Sequence, residues 1–201
     1  MSARDEILIK SEDLFLRYGI KSVSMDDIAR QLGMSKKTLY QYFENKAALV
    51  ESIGLMFLEN ERQLLQEVQT SATDAIHEMM LVGRHVLSHL RRLSPTTMYD
   101  LRKYYRDVWA QFETYNRENI YRCIRDNIER GKREGLYHKD ANADIIAKLY
   151  VGKSMMIIDE EVFPMEKYPR EKLFKQYIIY HIRGVALPRG LQLLQQHLDR
   201  S

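Results

Sequence analysis

Apolar side chains recur along this chain at three- and four-residue spacing, the period of helices with one buried face. No region keeps the two-residue alternation of a strand-rich domain, so the pattern predicts an all-α protein. The first helix places Ile7, Leu8, Leu14, Phe15 and Tyr18 on one side and stops at Gly19, which tolerates the left-handed backbone of a helix end. Ser24, with Asp27 three residues on, forms a capping box and opens a short helix that turns Ile28, Ala29 and Leu32 inward. Gly33 supplies a tight turn, and Ser35 caps a third helix over residues 36–43. Two short helices joined by such a turn make a helix-turn-helix unit. Beyond Asn45 the elements lengthen, with helices over 46–70 and 73–93 and a short one opened by Ser94 and Pro95. One apolar series then runs through Leu101, Tyr105, Val108, Phe112, Ile120, Ile124 and Ile128 to Gly131. A connection over 135–140 leads to helices over 144–159 and 170–187. The expected organisation is an N-terminal three-helix module, residues 1–46, joined to a larger helical domain, residues 47–201.

Turning the third helix by about 100° per residue sorts its side chains. Leu39 and Phe43 fall together and can pack on the first two helices. Lys37, Thr38, Gln41 and Tyr42 take the opposite arc, with Lys36 and Tyr40 at its edges. That arc is cationic, polar and aromatic, and it carries no acidic side chain. Lysines can reach guanine edges or phosphates, a threonine methyl can meet a thymine methyl, and tyrosine hydroxyls can reach phosphates.

The run GIKSVSMDDIARQLGMSKKTLYQYFENKAALV, from Gly19 to Val50, resembles the TetR (tetracycline-repressor) family signature in continuous register. The resemblance implies that Ser24 and Met25 approach the DNA backbone from the second helix. It implies that Lys36, Lys37 and Tyr40 face bases or the groove, while Thr38, Gln41 and Tyr42 mostly touch phosphate. Ser35 holds the cap of the recognition helix, and Lys46, after the capping Asn45, matches a phosphate-contacting lysine. The family also implies a repressor that binds a palindromic operator as a homodimer and is released by a small-molecule effector.

The last two expected helices are apolar on more than one face, around Met156 and Ile178, which favours a two-fold four-helix interface. An effector cavity in the larger domain would draw its lining from Met79, Tyr105, Trp109, Phe112, Tyr115 and Met155. These side chains offer large apolar surface with few polar handles.

Composition narrows the remaining classes. A net charge of +3 is mild, so any basic surface must be local. The single cysteine, Cys123, excludes an internal disulfide and points to a buried structural thiol. A charged N-terminus and the lack of any long apolar stretch point to a cytoplasmic protein that does not engage a membrane. There is no Gly-rich phosphate loop, paired-cysteine metal pattern or nucleophile elbow, so no cofactor, metal or catalytic residue is expected. His85 and His89 share a helical face without a nearby cysteine or an acid in register. Arg102, Lys103 and Arg106 read as a solvated face or, more sharply, as an anion-receiving one. Two rival readings stay open: a ligand-independent DNA-binding protein controlled by a protein partner, and an enzyme that uses the module to reach DNA.

Overall fold

The computed structural model describes residues 2–90, 92 and 94–199. Its helices are α1 (Ala3–Tyr18), α2 (Met25–Gln31), α3 (Lys36–Tyr42), α4 (Lys46–Ser71), α5 (Ala75–Leu90), α6 (Pro95–Tyr104) and α7 (Arg106–Tyr115). A π-helical turn, Asn116–Ile120, leads into α8 (Tyr121–Arg133), followed by α9 (Ala143–Ile157), α10 (Arg170–Val185) and α11 (Pro188–Asp199). Among the described residues there is no strand, only one antiparallel bridge between Tyr137 and Ala186. No described helix is long and apolar enough to cross a membrane. The apolar pattern carries the fifth helix to Leu93, which lies outside the described residues. The continuous series expected from Leu101 to Ile128 is interrupted at Tyr105, which leaves helical geometry at φ −127° and ψ 58°, and again by the π-helical turn. Apolar spacing stays in phase across both interruptions, so periodicity alone does not disclose them.

Packing divides the chain into two compact units. One comprises Met1–Glu61 with Arg92–Thr114, the other Arg62–Arg91 with Tyr115–Ser201. In the first, Ile7, Leu8 and Phe15 of α1 meet Ile28, Leu39, Phe43, Leu49 and Val50 in one core, which Leu101 and Val108 of α6 and α7 complete. Tyr18 departs from the expected inward face and is 60% exposed, because the buried side of α1 ends with Phe15. The start of α6 clasps the end of α1. The Thr97 hydroxyl donates to the Phe15 carbonyl at 2.7 Å, the Ser94 amide donates to the Leu16 carbonyl at 2.7 Å, and the Asp100 carboxylate accepts from the Lys21 amide at 2.7 Å. Between them Gly19 turns at φ +84°, where a Cβ would also stand 2.5 Å from the Thr96 hydroxyl, so only glycine fits.

The second unit is organised around Glu78 of α5, which is almost fully buried. Arg130 of α8 pairs with it at 2.9 Å and with Glu134 at 2.7 Å, and also donates to the Ala72 carbonyl at 2.8 Å. Glu134 accepts from the Ala75 amide, Asn127 donates to the Ala75 carbonyl, and the Tyr137 hydroxyl donates to Asn127. The network therefore answers the unpaired groups at the end of α4 and the start of α5. Burial pushes the Glu78 carboxyl up, and Arg130 pulls against it. Tyr137 lies flat over Gly131, where a Cβ would sit 2.1 Å from its ring. Facing α9 and α10, Tyr177 donates to the Tyr150 carbonyl at 2.6 Å, and His181 packs edge-on against Tyr150.

Two stability predictions follow from these buried groups. Arg130→Met strands the Glu78 carboxylate and the carbonyls of Gln69 and Ala72, so it should cost about 3 kcal/mol in urea unfolding. A loss under about 1 kcal/mol would show that the network is not holding the unit. His181 has a buried Nε2 without a hydrogen-bond partner, and burial followed by the nearby Lys153 pushes its pKa down to about 4. Between its ordinary value near 6.5 and about 4, the unfolded chain takes up a proton that the folded chain refuses. Stability should therefore fall as pH drops through that window, by on the order of 3 kcal/mol. His181→Phe should flatten that fall in thermal melts at pH 7, 5.5 and 4.5.

Candidate nucleic-acid interface

The capping residues set the direction of the two short helices. The Ser24 side chain accepts from the Asp27 amide at 3.1 Å while Asp27 accepts from the Ser24 amide at 3.0 Å, which closes the expected box. Ser35 accepts from the Thr38 amide at 3.0 Å and shares a 2.8 Å hydroxyl contact with Thr38. With Leu39 and Phe43 sunk in the core, α3 cannot rotate, and its opposite arc stays outward.

That arc holds most of the residues expected from sequence. Lys37 and Gln41 are exposed, and Tyr40 and Tyr42 are each 41% exposed. Lys37 makes no hydrogen bond or ion pair among the described residues, so its charge is uncompensated. Lys36 differs: Asp26 of α2 holds its ammonium at 2.8 Å, and that hydrogen bond raises its pKa. Thr38 is half-buried, with its hydroxyl turned to Ser35. Met25 is buried in the core, which leaves its backbone amide as its route to a phosphate. Lys46, the first residue of α4, donates to the Lys21 carbonyl at 3.4 Å and lies 5.8 Å from the Phe15 ring centroid. Burial lowers its pKa, opposed by Asp100 and Asp27. Ser24, Ser35, Lys36, Lys37, Thr38, Tyr40, Gln41, Tyr42 and Lys46 thus belong to one compact unit. Sequence reasoning passes over Lys21 and Asp100, which meet only because α6 folds back on the turn before α2. The only local hint is a carboxylate in an otherwise amphipathic short helix.

The six residues expected around a cavity are spread over both units. Tyr105, Trp109 and Phe112 pack against the core that contains α1–α3. Met79 and Tyr115 are buried in the other unit, and Met155 is half-buried there. That unit has an opening of about 440 Å³ between α5, α10 and α11, lined by Leu87, Ile178, Ile179 and Leu198 together with the charged Arg84, Glu171 and Lys175. Another of about 210 Å³ lies between the end of α4 and α8, lined by Gln66, Gln69, Arg122 and Cys123 among others. None of the six lines either opening. Burial pushes the Cys123 thiol up to about 12, so it stays protonated and unreactive.

Comparison with known proteins matches the same stretch. Residues 7–53 fit the model of the bacterial regulatory proteins of the tetR family. The chain is 23% identical over 195 residues to the HTH-type transcriptional repressor KstR2 of Mycolicibacterium smegmatis, covering 94% of this chain and 93% of that protein. The N-terminal module of this chain is that of the tetR family. A second TetR-type relative, the HTH-type transcriptional regulator YvaF of Bacillus subtilis, is 24% identical over 148 residues, 72% of this chain and 75% of that one. The TetR fold extends along the chain: reduced NemR of E. coli superposes with a TM-score of 0.73 at 12% identity, covering 93% of this chain and 99% of that one. The protein is therefore a transcriptional regulator of TetR type.

Lys37 and Lys46 should separate two kinds of DNA contact. Lys46→Ala should lower the slope of log affinity against log salt by about one unit per protomer without changing base preference. Lys37→Ala should relax preference at one symmetric pair of bases. Competition binding against single-base variants of a bound duplex distinguishes the two, and an unaltered preference would reassign Lys37 to the backbone.

Proposed function

We propose that this TetR-type regulator is a repressor that binds a palindromic operator as a homodimer and is released by a small-molecule effector. The observation that carries the DNA part is the outer arc of α3, where Lys37, Tyr40, Gln41 and Tyr42 stand exposed with no carboxylate among them. Residues 1–46 act as the DNA-binding domain and residues 47–201 as the regulatory and dimerisation domain. Lys36, at the edge of the arc, faces the groove with Lys37 and Tyr40, while Ser24, Ser35, Thr38 and Lys46 act as backbone contacts, and the first amide of α2 at Met25 joins them. The repressor reading is supported by the relative KstR2, itself named a repressor.

A stripe of α9 supports the homodimer. Ile145, Leu149, Gly152 and Met156 follow one another at helical spacing and all lie exposed, with Tyr180 and Gly184 exposed on α10. A Cβ on Gly152 or Gly184 would meet nothing within 4 Å, so both backbones are open to close approach by a second helix. Ile178, which the sequence pattern places in the interface, is instead buried against Gly83, so the outward face of α10 is that of Tyr180. For the effector, the 440 Å³ opening has the size of a small-molecule site.

The operator test is to recover the duplex protected by the protein upstream of its own or a neighbouring gene. A palindrome with half-sites about one helical turn apart, or a multiple of that, is expected. Bound DNA without two-fold symmetry would overturn the homodimeric reading. Leu149→Glu with Met156→Glu should give a monomer that keeps its helicity in circular dichroism and loses the palindrome. A wild-type protein that sediments as a monomer at micromolar concentration would exclude the dimer outright.

A further inference from the structure

The exposed end of α6 lies beside the proposed DNA-binding face and belongs to the same compact unit. There Lys21 of the α1–α2 turn donates its Nζ to the Tyr104 hydroxyl at 3.0 Å and lies 4.4 Å from that ring's centroid. Lys103 bonds the Tyr99 hydroxyl and stands 4.9 Å and 5.4 Å from the Tyr99 and Tyr104 ring centroids. The two rings meet edge-on at 6.4 Å, and they are 55% and 44% exposed. The cluster touches the residue that matches the family's phosphate lysine, since Lys46 donates to the carbonyl of Lys21.

The manner in which these lysines are held sets them apart. Several other exposed cations pair with carboxylates one helical turn away, as Lys10 does with Glu6, Arg17 with Asp13 and Lys148 with Asp144. Such pairs are electrically closed. Lys21 and Lys103 form no ion pair among the described residues, and Asp100 of the same helix as Lys103 is buried and accepts from the Lys21 amide. Tyrosine hydroxyls and ring faces fix the two ammonium groups without cancelling their charge. A hydroxyl that accepts from an ammonium also keeps its own hydrogen for another acceptor. Each Lys–Tyr pair therefore presents two donor groups, an ammonium and a hydroxyl, and one positive charge, the complement of a phosphate oxygen.

From this we infer that Lys21, Tyr99, Lys103 and Tyr104 form a second phosphate-binding platform that holds the DNA backbone next to the Lys46 contact. The inference rests on the DNA-binding reading above. It assigns α6 a direct part in the complex, in addition to its clasp on α1. Because the platform touches only backbone, it adds affinity and orientation without base preference.

The test is a salt titration of duplex binding by anisotropy, using the full chain and the duplex it protects. Lys21→Gln and Lys103→Gln retain side-chain length, and the former keeps the backbone amide that Asp100 needs. Circular dichroism and melting should match the wild type. Each substitution should lower the salt slope by about 0.9 per protomer, with base preference unchanged. Tyr104→Phe should weaken binding at fixed salt with little change of slope, since it removes a donor and no charge. A duplex trimmed to the base pairs under α3 should bind the wild type and Lys103→Gln equally. Lys37→Ala in the same assay separates the two ideas. If Lys37→Ala weakens binding while the Lys21→Gln, Lys103→Gln double variant keeps the wild-type slope, the platform is overturned and the DNA-binding reading stands. If none of these variants changes binding, both fall.

Discussion

The buried carboxylate of Asp100 fixes the geometry on which the proposed DNA-binding surface depends. A helix ends with carbonyls that have no partner within it. At the end of α1, Ser94, which caps α6, takes the free carbonyl of Leu16, and Thr97 adds a second bond to the Phe15 carbonyl, which already accepts from the Gly19 amide. Asp100, one turn further on, takes the amide of Lys21 beyond the glycine turn. These three bonds define where the chain leaves α1, and Ser24 begins α2 only three residues after Lys21. The direction of α2 sets Gly33 and α3, so the aim of Lys37 and Tyr40 traces back to the clasp. A buried carboxylate is costly unless hydrogen-bonded, and here the Lys21 amide supplies the bond.

The other compact unit solves a similar problem with a stronger group. Glu78 lies deeper than Asp100 and carries a full ion pair with Arg130. Arg130 answers Glu78, Glu134 and the α4 end from three separate nitrogens of one planar fork, a span that the compact ammonium of a lysine does not offer. In both units a side chain distant in sequence closes the end of a helix. Hydrophobic burial holds the helices together without direction, whereas these polar closures specify where each one stops.

This division explains what could be read from the sequence. Caps are local, so the Ser24–Asp27 box and the Ser35 cap were legible from spacing alone, and the starts of α2 and α3 with them. The outer arc of α3 was legible because Leu39 and Phe43 fix its inner side. Closures between distant residues were not: Lys21 and Asp100 are 79 positions apart, and nothing local marks them as partners. Met25 looks like an outward residue at a helix start, yet tertiary packing buries it. Lys36 and Lys37 are the same residue type side by side, and only the fold brings Asp26 to the first. Aromatic and methionine stripes look alike whether they face a core or a cavity, which is why Met79 and Tyr115 could be named without their surroundings being known.

Charge placement resolves the apparent mismatch between a net charge of only +3 and a surface suited to a polyanion. Total charge counts every lysine equally, but a lysine closed by a carboxylate contributes little field beyond its partner. Lys10 and Lys148 are closed in this way. Lys37 has no partner among the described residues, Lys46 is held by a carbonyl, and Lys21 and Lys103 by tyrosine hydroxyls. None of these four is neutralised by a direct ion pair, so they can remain charged and oriented together. Beyond a Debye length of about 10 Å at 0.1 M salt, scattered charges are screened from one another, and only such a local cluster keeps its field. Pinning by neutral oxygens and ring faces also removes part of the side-chain entropy that a free lysine loses on meeting a phosphate. A chain with little excess of basic residues can therefore present a strongly basic face, provided its acids are bound to backbone amides or paired on other faces.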